Sequence, residues 1–217
     1  MLAFARREPS AVLLAVQLAS VLVYPFLEGR GVGRSLVSAL GILTLGLVVL
    51  AVRATPGQNL IGALLAIPAT VLLLIQAISG DPALLPWSSA FEAVLYFYAA
   101  AGLIRYMLAD HQITRDELFA VGATFTLVAW AFAYVFTVCQ AIEPGSFTAA
   151  VHPNADRTWM ELLFLSFTTL TSTGLSDVIP IQPFARGLVM IEQLAGLAYV
   201  AMLVSRLVGL TVMRHRD

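Results

Sequence analysis

The chain has 217 residues, 59% hydrophobic and 12% charged, a formal net charge of -1 and a mean hydropathy of +0.88. Soluble domains carry about a quarter charged residues, so a water-soluble globular domain is excluded and an all-α integral membrane protein, with the lipid bilayer as its main partner, is predicted. Arginine supplies all 12 basic side chains without forming a basic stripe, which excludes a nucleic-acid partner.

The first ten residues set arginines before an apolar run, as a leader peptide does, but no small-residue cleavage pattern follows and the segment reads as retained. Apolar runs at 11–27, 35–52, 60–78 and 90–109 are each about 17 to 20 residues, enough for one helical crossing. The breaks at 28–31, 55–59 and 80–82 carry turn residues and are short, which makes successive helices antiparallel. Pro68 predicts a kink in the third run. The link 110–117 is the most charged segment of the chain, and Thr114 with Glu117 fits a capping box for the next helix, about 118–142. His111 in that link reads as a solvated surface residue, with pH sensing as the alternative. The single Cys139 lies in the fifth run, permits no disulfide within the chain and reads as an inert buried thiol.

Residues 143–158 are polar and rich in turn formers, and read as an exposed loop. Asp156 is predicted to cap the short helix that follows, with Trp159 as an interface anchor. Glu143, His152 and Asp156 lack metal-ligand spacing, so no metal site is expected there. The run 161–170 is too short to cross a bilayer and reads as a buried or re-entrant helix. It gives way to Thr171, Ser172, Thr173 and Gly174, which is poor helix material and a good source of exposed oxygens. Irregular backbone at membrane depth is tolerated where protein buries it or where it lines a watery cavity, and a pore does both.

The stretch TLTSTGLS at 169–176, followed by Asp177, Val178, Ile179 and Pro180, resembles the pore loop of the potassium-channel-like cation channels, in which a short pore helix runs into a TVGYG-type filter. The segment 183–210, with Glu192, Gly196 and Arg206, resembles the inner helix of bacterial channels with that pore. The resemblance covers about 117–210 and implies six transmembrane helices, with a re-entrant pore helix and filter loop between the fifth and sixth. It implies ion binding by Thr171, Ser172, Thr173, Gly174, Leu175 and Ser176, support and pore-mouth roles for Thr169, Asp177 and Glu192, and a gating hinge at Gly196. The permeant ion is a monovalent cation, potassium or sodium, with no other cofactor. Here Ser172 stands for the usual Thr, Thr173 for Val, Leu175 for Tyr and Ser176 for the second Gly, which predicts weakened or altered potassium selectivity. One such loop cannot surround an ion, so a homotetramer is expected.

These expectations divide the chain into a four-helix region at 1–112 and a pore domain at 113–217. A voltage sensor needs several arginines on one helix, since each charge contributes about 2.3 kcal/mol per 100 mV, and the fourth run has Arg105 alone. Glu192 lies well inside an apolar helix, where it either holds the filter, draws cations inward or makes a purely interhelical contact. Gly196 serves either bending or close packing. With both termini in the cytoplasm, eight arginines fall inside and four outside, the direction the positive-inside rule requires for a plasma-membrane (inner-membrane) protein. No residue cluster suggests an enzyme, and the single broken region disfavours an alternating-access transporter. The alternative function is a non-conducting structural or regulatory subunit, motivated by the changes at Leu175 and Ser176.

Overall fold

The computed structural model describes residues 8–27, 56–79, 81–109 and 114–214. The apolar run at 35–52 and His111 lie outside the described residues. Six helices are described: α1 (Pro9–Leu27), α2 (Pro56–Ser79), α3 (Leu85–Leu108), α4 (Arg115–Ile142), α5 (Trp159–Leu170) and α6 (Pro183–Arg214). A short antiparallel pair joins β1 (Phe147–Ala149) to β2 (Val178–Pro180), with Thr148 opposite Ile179. The molecule is an all-α bundle with this small sheet at one end. Among the described residues, α1, α3, α4 and α6 are long and apolar enough to cross a membrane, and α2 carries an apolar stretch at Leu64–Gln76.

Helix boundaries follow local chemistry. The 55–59 break is shorter than expected because α2 already starts at Pro56, where proline at the first helical position loses no hydrogen bond and pre-sets φ. Asp81 accepts from the Ala83 amide at 2.9 Å and nucleates a 3-10 turn, Pro82–Leu84, that leads into α3. Thr114 caps α4 by accepting from the Glu117 amide at 3.2 Å. The Glu117 carboxylate binds Arg206 Nη2 of α6 at 3.0 Å. α2 runs through Pro68 as one continuous helix.

The core is threaded by α4, the helix buried along most of its length. One side of it packs Ala123, Leu127, Trp130 and Ala131 against Leu13 of α1, Tyr96, Ala99 and Ala100 of α3, and Leu163 of α5. Alanines on facing helices permit the close approach that drives association in lipid. Another side packs Phe132, Phe136 and Cys139 against β1, β2, α5 and the start of α6 through Phe147, Val178, Leu162 and Val189. Cys139 is buried there as a free thiol. α1 is tied to α4 along its length: the Ser10 amide and hydroxyl donate to the Asp116 carboxylate at 3.0 and 2.9 Å, and Gly122 leaves room for Leu14. Because Asp116 meets the start of α1 while its neighbour Glu117 meets Arg206 late in α6, the two ends of the described chain lie at the same end of the bundle.

Candidate functional site

The loop between α4 and α5 is built around Arg157. Its side chain is buried and donates to the carbonyls of Val151, His152 and Ala155, and to Glu161 at 3.3 Å. Its backbone is gripped in both directions by the Gln140 amide of α4, at 2.8 and 3.1 Å. The carbonyls of an irregular loop need donors, and one guanidinium satisfies several at once.

Thr158, rather than Asp156, caps α5. Its hydroxyl accepts from the Glu161 amide at 3.3 Å while the Glu161 carboxylate accepts from the Thr158 amide at 2.6 Å, a complete capping box. The T-x-x-E spacing at 158–161 carried this signal in the sequence. Trp159 is not a free interface anchor: its ring packs among Tyr24, Trp130 and Tyr134, with centroids 5.0 to 5.5 Å away.

At its other end α5 closes with a Schellman turn. The Ser172 amide donates to the Thr169 carbonyl at 2.9 Å and the Thr173 amide to the Thr168 carbonyl at 3.0 Å, the 5→2 and 6→1 pair of that motif. Ser172 occupies the left-handed position at φ +58°, where glycine is usual. Gly174, at φ +66°, donates its amide to the same Thr168 carbonyl at 3.1 Å. The Thr171 and Thr173 hydroxyls meet at 2.9 Å. A trans peptide plane holds its C=O antiparallel to its N–H. With the amides of residues 172, 173 and 174 turned back onto α5, the carbonyls of Thr171, Ser172 and Thr173 therefore project away from it. That side is open: residues 171–175 and Asp177 are exposed, Leu175 at 78%. Ser176 turns inward instead, accepting from the Val178 amide at 3.0 Å, and hands the chain to β2.

Thr169, Glu192 and Gly196, in contrast to the exposed strip, are all buried. Thr169 is buried at the end of α5. Glu192 is fully buried and bonded to the Ser166 hydroxyl of α5, which also reaches the Ala129 carbonyl of α4 at 2.7 Å. Ser166 thus joins three helices; it was not foreseen because a serine in an apolar helix has no distinctive spacing. A Cβ added to Gly196 would stand 2.9 Å from the Leu170 carbonyl carbon, and closer still to its oxygen, so the glycine lets α6 touch the α5 backbone. α6 buries one stripe, Ala185, Val189, Glu192, Gly196 and Tyr199, at helical spacing. In the apolar 18-residue stretch of α6 only 22% of residues are buried, against 56% in that of α4.

Among the described residues no group of three metal-ligating side chains is present. No curated protein and no solved structure matches the chain significantly. A family model described as "Ion channel" matches residues 93–212, which takes in most of α3 and nearly everything to the end of α6. That match spans more than half of the chain, and it contains the whole site above; this protein belongs to the ion-channel family, multi-pass membrane proteins that conduct ions and are not enzymes.

Proposed function

We propose that the chain is one subunit of a homotetrameric channel of the potassium-channel-like pore-loop type, passing potassium or sodium passively through a filter at 171–176. In this reading each subunit has six transmembrane helices, the second formed by 35–52, with 1–112 as a four-helix region and 113–217 as the pore domain. α5 is the re-entrant pore helix. The observation that carries the reading is the turn at the end of α5, which pins three consecutive amides to the helix and leaves the carbonyls of Thr171, Ser172 and Thr173 on an open side. Carbonyl oxygens arranged in a ring replace an ion's hydration shell. One strip cannot make a ring, and four copies related by closed symmetry can. The negative end of the α5 dipole, at the same turn, favours a cation there.

The remaining candidate residues find roles around that strip. Thr169 and Glu192 support the filter from the protein side, Glu192 through Ser166. Asp177 lies exposed at the mouth, and Gly196 is the point about which the inner helix bends. Leu175 supplies no phenolic donor and Ser176 replaces a glycine, so selectivity for potassium is weaker than a TVGYG filter gives. The arginine bias, together with Ser10 of α1 and Arg206 of α6 lying at one end of the bundle, supports cytoplasmic termini in the plasma (inner) membrane.

Cation flux into liposomes holding the purified protein tests this, comparing potassium, sodium and a large organic cation under opposing gradients. We expect flux of both small cations, with a modest preference for potassium, and exclusion of the organic one. Silence from a confirmed tetramer would reject conduction and favour a structural or regulatory subunit.

A further inference from the structure

We propose that Gln193 is a specificity-determining residue of the ion path, its carboxamide facing water and permeant cations on the inner side of the filter. The inference rests on the channel reading given above.

Gln193 sits on the open side of α6, outside the buried stripe of Glu192, Gly196 and Tyr199. With Met190, Leu194 and Leu197, the i, i+3, i+4, i+7 set of one helical face, it lines a groove of about 400 Å³ whose remaining wall is Ser172. The amide therefore shares one groove with the strip whose carbonyls project away from α5. Further along this flank the side chains are Val200, Ala201 and Val204, all apolar.

A carboxamide offers two donors and an acceptor oxygen with two lone pairs. Facing lipid, it leaves them unmet, and a polar group without partners in hydrocarbon costs several kcal/mol. No partner meets it among the described residues. Polar side chains in membrane helices turn toward a water-filled cavity or another protein group. The neighbouring Ser172 selects the first of these: a polar groove wall beside exposed carbonyls is where water and a partly hydrated cation have access. Four amides around the axis would exchange oxygen ligands for part of the cation's hydration shell without the trapping power of four carboxylates. Gln193 then tunes which cations reach the filter and how readily, a role separate from filter geometry.

The test uses the full-length protein in liposomes. Gln193→Cys is treated with a charged, membrane-impermeant thiol reagent, with buried Cys139 of the wild-type chain as the baseline. Ile179→Cys at the exposed mouth serves as the accessible control and Ile67→Cys, exposed on the apolar α2, as the lipid-depth control. We expect labelling at 193 and 179 but not at 67. In flux, Gln193→Glu should change block by an internal divalent cation by about threefold or more, while Gln193→Leu changes conductance with little change in tetramer assembly. Absence of labelling at 193, or disulfide crosslinking of the introduced thiol between copies in its place, overturns the proposal, as do unchanged block and conductance in both variants of a conducting channel. If wild-type liposomes pass no cation, the channel reading fails, and labelling at 193 still decides whether the amide faces water.

Discussion

Gly196 and Ser172 show opposite uses of a backbone position. At Gly196 the constraint is space, since any side chain meets the Leu170 backbone. Gly196→Ala should therefore force α6 off α5 and cost about 3 kcal/mol or more, because backbone cannot yield as a flexible side chain does. Gly187→Ala is the matched control, with nothing within 4 Å of its added methyl group. Detergent-denaturation midpoints of the two variants check this, and equal midpoints would refute the close approach. At Ser172 the constraint is conformation: φ is +58° for a residue with a Cβ. Ser172→Gly should relieve about 1 kcal/mol of backbone cost while removing an exposed hydroxyl from the strip, raising thermal stability and, on the proposed filter reading, altering cation flux in the same protein.

Two side-chain ties decide how elements hold the open strip in place. Arg157 binds the loop between α4 and α5 to the start of α5, and β1 pairs with β2 just beyond the 171–176 strip, so the loop, the short helix and the end of that strip form one connected unit. Replacing Arg157 by Met should leave the carbonyls of Val151, His152 and Ala155 without their shared donor and cost about 1 to 2 kcal/mol, since these carbonyls lie in an exposed loop that water can reach; loosening of the small-cation preference is the accompanying readout, and a stable variant with wild-type flux would separate the loop from the 171–176 strip. The second tie, Glu117 to Arg206, holds the late turns of α6 against the start of α4, with side-chain exposures of 4% and 14%. A double-mutant cycle with Glu117→Gln and Arg206→Gln should give a coupling of about 1 to 3 kcal/mol, above the value of a surface pair because both groups are largely desolvated.

Across the whole molecule, α6 stands out as the least covered of the described helices long enough to span a membrane, and its open flank adjoins the irregular strip at 171–175 that follows α5. A fourfold assembly would place these flanks and strips around one axis. Leu175→Tyr combined with Ser176→Gly should sharpen potassium over sodium if the scaffold already supports a filter, and the flux ratio in liposomes measures it. An unchanged ratio would count against residues 175 and 176 as the source of the proposed weak selectivity.

Membrane residence, the short helix and the irregular strip after it were legible in the linear chain, because long apolar runs, a run too short to cross and a cluster of hydroxyls next to glycine are local signals. The capping role of Thr114 was legible for the same reason. Arg157, Ser166 and the β1–β2 pair were not. Three-residue strands are too short for alternation to register, the Arg157 guanidinium folds back on an irregular loop that has no repeating pattern, and the partners of Ser166 come from other helices, up to 37 residues away. The close approach of Gly196 to the Leu170 backbone was not legible either, and the open side of the 171–173 carbonyls followed only from which amides α5 had claimed. Local chemistry thus specifies which elements form; the meeting of residues distant along the chain sets what each element faces, because a contact between two segments has no signature in either one alone.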